Sequence, residues 1–254
     1  MITLLLAAVA AALFGAGMAW LSHRLVHRDK VPDTGPAIGT AAGAVASFFI
    51  FTIAFMTVTA TASLGAARQG TYAEAGAISD LYMATHDLAE PQRGELREEL
   101  ADYTRRIISD EWPALAAGHQ DFPTREAAYQ LALRVNAAAA QPQTPAHTAA
   151  DLHDSMHGVM GHRRDRLAQA QEGLPYPLIF FLVGTSVLTI LFLVLMGWPR
   201  GRRGTVAISV IGVLFAFGIW LVLQINHPYG GSVHVDPTAY QQALDRIDFL
   251  KQLG

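Results

Sequence analysis

Three phenylalanines and a threonine share one helical face in the most unusual apolar stretch of this sequence. Phe48, Phe51, Phe55 and Thr59 recur at i, i+3, i+7 and i+11, which places them along one side of an α-helix. Rings of apolar side chains around a pore can block ions by expelling water, and nearby hydroxyls can wet the rest of the pore. The alternative is that the phenylalanines face lipid or neighbouring helices, while the threonine hydroxyls bond to carbonyls of their own helix.

A turn-rich segment near the C-terminus contains oxygen ligands of the kind that calcium prefers. Asn226, Pro228, Tyr229 and Gly230 are followed by Asp236, and prolines and glycines favour a fixed turn. Calcium takes about 6 to 8 oxygen ligands, whereas this segment supplies one carboxylate. The composition therefore favours a turn that directs the chain away from the preceding helix over a calcium site.

A pair of histidines could bind a metal ion. His153 and His157 are spaced i, i+4, so both imidazoles lie on one helical face, and His86, His147 or His162 could complete a zinc site. The alternative is that the pair is solvated on a polar helix face. We therefore predict no obligatory cofactor, with calcium at the turn and zinc at the histidine pair left open.

The charged residues are distributed very unevenly along the 254 residues. Asp, Glu, Lys and Arg are absent from 1–22, 37–67, 173–199 and 204–235. About 18 uncharged apolar residues suffice to cross the hydrocarbon core of a bilayer. We therefore predict an all-α integral membrane protein with four transmembrane helices: Ile2–Leu21, about Ile38–Leu64, Tyr176–Trp198 and Thr205–Ile225.

The polar region 68–172 has helical apolar spacing throughout, with proline-marked helix starts and a break at 141–145. The predicted organisation is thus a helical extramembrane region inserted between the second and third spans, with a turn and a short helix at the end. The boundaries are 1–67 for spans one and two, 68–172 for the inserted region, 173–226 for spans three and four, and 227–254 for the C-terminal part.

Charge also limits the possible functions. The net charge is −3 and the chain contains no cysteine, which argues against nucleic-acid binding and excludes disulfides and thiol nucleophiles. No catalytic or nucleotide-binding motif is present, so we predict that the chain is not an enzyme. No ionisable residue lies inside the four uncharged cores, which argues against a proton-coupled transporter. Arg163, Arg164 and Arg166 could attract anions or anionic head groups or anchor the helix end at the membrane surface, and we favour the anchor.

We expect a multi-pass protein of the cell membrane. The short loops between spans one and two and between spans three and four carry six basic residues, against four near span ends on the opposite side. This small difference favours an external helical region.

The layout resembles that of the bestrophin-like bacterial membrane proteins, a family formerly described as a domain of unknown function and distantly similar to the bestrophin anion channels. The phenylalanine-rich second span, the segments Glu95–Tyr103 and Glu111-Trp112-Pro113, and the residues after the fourth span carry this resemblance.

The resemblance implies a pentamer with Phe48, Phe51 and Phe55 at an apolar neck, and it matches Asn226, Pro228, Tyr229 and Gly230 to the segment before a calcium clasp. His227 interrupts that segment and the acidic run after it is reduced to one residue, which argues against calcium gating. The resemblance also implies a cytosolic helical region, in conflict with the loop charges, so the side stays open.

We therefore predict a homo-oligomeric channel-like protein, a pentamer by resemblance, which passes small inorganic ions, with anions favoured, through a pore lined by the second span. Its predicted partners are the lipid bilayer and other copies of itself. The alternative is a non-conducting membrane assembly or sensor module whose helical region binds a partner or a metal.

Overall fold

A computed structural model describes residues 35–171, 173, 175–195, 202–231 and 233–253, and these residues contain helices and turns but no β-strand. The all-α prediction is confirmed for this part of the chain. The predicted first span, Ile2–Leu21, lies outside the described residues. In chain order the helices are α1 (Gly35–Ala84), α2 (Gln92–Arg106), a π-helical turn (Ile107–Glu111), α3 (Trp112–Ala116), α4 (Phe122–Ala139), α5 (Ala146–Gln171), α6 (Tyr176–Leu195), α7 (Arg202–Ile225) and α8 (Thr238–Leu253).

Three helical segments of the described chain are long and apolar enough to cross a membrane: Gly39–Ala84, Ala146–Leu193 and Val206–Ile225. They overlap the predicted second, third and fourth spans, and residues 196–198 of the predicted third span lie outside the described residues. Helix α1 has 50 residues and is therefore about 75 Å long at about 1.5 Å per residue. It continues far beyond the predicted end at Leu64 because the helical spacing of apolar residues persists after the uncharged tract ends.

The described residues fall into two compact units, one within Met1–Thr61 and Leu174–Asn226, the other within Ala62–Gly173 and His227–Gly254. We call them the apolar unit and the polar unit. In the apolar unit, one side of α1 packs against α6 and α7. The buried core there consists of Phe49, Met56, Ala60, Leu182, Val222 and Ile225.

The polar unit contains the C-terminal part of α1 together with α2 to α5 and α8, which share one continuous core. Prolines and capping side chains mark the starts of two of its helices. Pro91 directly precedes α2, and the Asp121 carboxylate caps α4 by accepting a hydrogen bond from the Thr124 amide at 2.9 Å. The π-helical turn that ends at Glu111 has no counterpart in the sequence prediction, because no local pattern distinguishes it from α-helix.

Candidate functional site

The predicted pore-lining residues lie on the exposed side of α1. Phe48, Phe51 and Phe55 are 59%, 71% and 53% exposed, and Thr59 is exposed as well. The opposite side of the same helix is buried in the core of the apolar unit, where Phe49 is 4% exposed. The structure thus brings the four residues together on one exposed face of α1.

The hydroxyl groups of α1 bond within the helix. Thr52, Thr57 and Thr59 each donate to the carbonyl oxygen four residues earlier, at 2.7, 2.7 and 3.0 Å. Such bonds satisfy a hydroxyl in an apolar environment without a partner from another helix. A hydroxyl donates only one hydrogen bond, so Thr59 must release the carbonyl of Phe55 before it can donate to an anion.

The segment after α7 is a packed turn. Tyr229 is buried, with its ring edge-on to Trp112 at 5.2 Å between centroids. A Cβ atom at Gly230 would lie 2.8 Å from the Ala116 carbonyl oxygen, so this close approach requires glycine. The amide of Val235 donates to the carbonyl of Pro228 at 2.8 Å and closes the turn.

Two other members of this segment, Asn226 and Asp236, lie nearer to solvent, whereas Pro228 is buried. Asn226 is half-buried, and its amide donates to the Val222 carbonyl at 3.1 Å. The Asp236 carboxylate is exposed and lies 3.1 Å from Nε2 of His234. Pro228, Tyr229 and Gly230 of the predicted set are therefore buried in the polar unit.

The histidine pair is exposed on α5. His153 and His157 both face solvent, while His147 lies 3.3 Å from Asp87. No group of three or more histidine, aspartate or glutamate side chains that could hold a metal ion occurs in the part of the chain that the structure describes. A zinc site at the pair, like a calcium site at the turn, stays a prediction.

A buried ionic cluster occupies the centre of the polar unit. It consists of Glu74 on α1, Glu111 in the π-helical turn, and Arg163 and Arg166 on α5, all less than 5% exposed. Arg163 contacts both oxygens of Glu111 at 2.5 and 2.7 Å. Arg166 bridges the two acids, with Nε 2.7 Å from Glu74 and Nη2 2.7 Å from Glu111. Two cations and two anions make the cluster neutral.

Two tyrosines complete the cluster by donating to Glu74. The phenol of Tyr240 lies 2.9 Å and that of Tyr103 lies 3.3 Å from its carboxylate oxygens. Burial raises the pKa of both phenols, and the negative charge of Glu74 raises it further. Both tyrosines therefore remain protonated donors at neutral pH.

The interpretation of Arg163 and Arg166 as surface anchors is wrong, because they are 3% and 0% exposed. Arg164 between them is exposed, as expected for an anchor or a solvated residue. A signal was available in the spacing, since both arginines continue the apolar stripe Leu152, Met156 and Val159 at helical intervals.

Comparisons with known proteins identify the family and the fold. The family model of the bestrophin-like domain matches residues 9–240. A substituted form of a bacterial bestrophin homolog from Klebsiella pneumoniae has a TM-score of 0.67 at 13% identity, with 100% of this chain and 98% of that chain covered. Another substituted form of the homolog gives 0.65 at 12% identity, with 97% of each chain covered.

A crystal structure described as a membrane protein has a TM-score of 0.68 at 12% identity, covering 94% of this chain and 96% of that chain. No curated protein matches the sequence. The structural similarities establish a shared fold, and the family model, which spans most of the chain, confirms the resemblance: this chain belongs to the bestrophin-like family.

Proposed function

We propose that the chain forms a homo-oligomeric ion channel that crosses the cell membrane four times and conducts small anions through a pore lined by α1. The observation that carries this proposal is the exposed face with Phe48, Phe51 and Phe55 on a helix whose other side is buried. Uncharged helices are compatible with other membrane functions as well as with a channel. Membership of the bestrophin-like family favours the channel among these functions.

In the proposed channel, the three phenylalanines form a narrow apolar neck. Phe48 and Phe55 are seven residues apart, so the neck is about 10 Å long. Water leaves an apolar constriction of this kind readily, and an ion cannot pass until the neck hydrates or widens. The barrier therefore depends on side-chain volume, and truncation at the neck should lower it.

The preference for anions rests on the family resemblance, because no charged side chain lies in the uncharged tract of α1. The Thr59 hydroxyl on the phenylalanine face donates inside its helix. Backbone dipoles and charges at the pore mouths must then discriminate between ions.

Ion flux through liposomes that contain purified protein tests the proposal directly. The Phe55→Ala variant should conduct faster than the wild type, measured with a halide-sensitive dye under an imposed gradient. Ile50→Ala is the matched control, since Ile50 is 63% exposed on α1 but lies on a different side of the helix. Absence of flux from both wild type and Phe55→Ala would reject the channel, and equal acceleration by the control would reject the assigned face.

A further inference from the structure

The buried side of α1 packs closely on a glycine of α7. Phe49 of α1 contacts Phe215 of α7, with 4.2 Å between the ring centroids. About one helical turn further along both helices, Ile53 of α1 meets Gly218 of α7, where an added Cβ atom would overlap with Cδ1 of Ile53. Gly218 therefore provides the space that the end of the Ile53 side chain occupies.

Ile53 lies behind the predicted neck. Phe51 precedes it by two residues and Phe55 follows it by two, and two residues turn an α-helix by about 200°. Both phenylalanine rings are more than half exposed, whereas Ile53 is half-buried and packs against the core of the apolar unit. A displacement of this turn of α1 away from α7 therefore carries both rings in the direction in which they are exposed.

The close approach at Gly218 distinguishes it from two other glycines in the apolar helices. Gly184 on α6 and Gly43 on α1 have nothing within 4 Å of an added Cβ atom. Alanine would fit at either of these positions without displacing a neighbour. At position 218, in contrast, the observed packing leaves room only for glycine.

We propose that Gly218 is a positioning residue for the neck, because its lack of a side chain lets Ile53 seat against α7 and holds Phe51 and Phe55 back. A close-packed interior transmits strain, and a β-branched side chain in a helix has one strongly preferred χ1 rotamer. Added volume at position 218 therefore moves α1 towards its exposed face. The apolar neck then narrows, and its barrier to ions rises.

This inference rests on the proposed channel and names a residue that sets the width of the neck without lining it. Moving one methyl group across the contact tests it, with full-length protein in liposomes at equal amounts of folded protein. Gly218→Ala should lower halide flux several-fold, and Gly218→Val should lower it further. Ile53→Val removes the Cδ1 atom at the contact, so the double variant with Gly218→Ala should return to wild-type flux.

Two comparisons separate a change at the neck from a general defect. Gly184→Ala is the matched control, since it makes the same substitution in α6 where nothing lies within 4 Å, and it should conduct as the wild type does. In the Phe55→Ala background the neck is already truncated, so Gly218→Ala should lower flux much less than in the wild type. An equal fold reduction in both backgrounds would overturn the positioning role.

The flux of the remaining variants decides the inference further. Wild-type flux from both Gly218→Ala and Gly218→Val would reject it, as would a reduced flux that Ile53→Val does not restore. A lower Tm of Gly218→Ala that Ile53→Val restores, with flux unchanged in both, would establish the contact and reject its role. Absence of flux from the wild type and from Phe55→Ala rejects the channel itself, whereas wild-type flux that is insensitive to position 218 rejects only this inference.

Discussion

The two compact units arrange polar and apolar groups in opposite ways. The apolar unit exposes phenylalanines on α1 and satisfies its hydroxyls within the helix. The polar unit buries four charged side chains, with Glu74 and Arg166 both at 0% exposure. The difference reflects the surroundings. An exposed phenylalanine ring costs little free energy where its surroundings are apolar or free of water. A buried charge, in contrast, is tolerated only where its partners are fixed within hydrogen-bond distance.

The largest effect that would test this contrast is expected at Arg166. Arg166→Met leaves the carboxylates of Glu74 and Glu111 buried without their bridging cation, which should cost about 3–5 kcal/mol in the free energy of unfolding. Loss of most folded protein, or a large drop in Tm by circular dichroism, is the expected result. Arg164→Met, at the exposed position two residues earlier, should change stability by less than about 0.5 kcal/mol. Similar Tm values for the two variants would show that the cluster contributes little.

The next contrast lies within α1 itself. Phe49→Ala removes a buried ring that packs at 4.2 Å between centroids against Phe215, and we expect a loss of about 3–5 kcal/mol. Phe51→Ala truncates a ring that is 71% exposed, and we expect a change within about 0.5 kcal/mol. Thermal unfolding in detergent measures both. A large loss from Phe51→Ala would mean that its ring packs against another copy and does not line a water-filled pore.

A smaller effect is expected where the turn after α7 meets α3. Gly230→Ala places a Cβ atom 2.8 Å from the Ala116 carbonyl oxygen, and the backbone shift that relieves this overlap should cost about 1–3 kcal/mol. Gly65→Ala is the matched control, because nothing lies within 4 Å of a Cβ atom at that exposed helical position. The control should be neutral or slightly more stable, since alanine favours helix. Equal Tm values for both variants would contradict the close packing of this turn.

The smallest effect is expected at Asp236, where an acid of the polar unit is exposed. Asp236→Asn replaces the carboxylate that lies 3.1 Å from Nε2 of His234, and the side chains of Asp236 and His234 are 69% and 41% exposed. Pairs of this kind contribute about 0–1 kcal/mol, so Tm should barely change, in contrast to Arg166→Met. A drop comparable to that of Arg166→Met would show that the post-span turn depends on its carboxylate, and would reopen the question of a bound cation there.

Much of the secondary structure could be predicted from local patterns. The uncharged tracts located three helices that are long and apolar enough to cross a membrane, and Pro91 and Pro123 marked the starts of α2 and α4 to within a residue. The spacing also placed Phe48, Phe51 and Phe55 on one face, but it could not determine that Phe49 would turn inwards while they remained exposed. That outcome depends on α6 and α7, which follow more than a hundred residues later.

The buried cluster shows why the rest could not be predicted. Its residues carry ordinary charges in helices with exposed polar faces, and Glu74 and Arg166 are separated by 92 positions. Helical spacing indicates that Arg163 and Arg166 continue an apolar stripe, but it does not identify the carboxylates that compensate them.

The sequence by itself determined that the described part of the chain is helical and contains uncharged tracts long enough to cross a membrane, because helix periodicity and the cost of charge in hydrocarbon are local properties of the chain. Tertiary structure alone decided which face of α1 stays open and which charges are buried. Both outcomes depend on contacts between distant segments, and the free energy of a buried charge is set by partners that only the folded chain brings within reach.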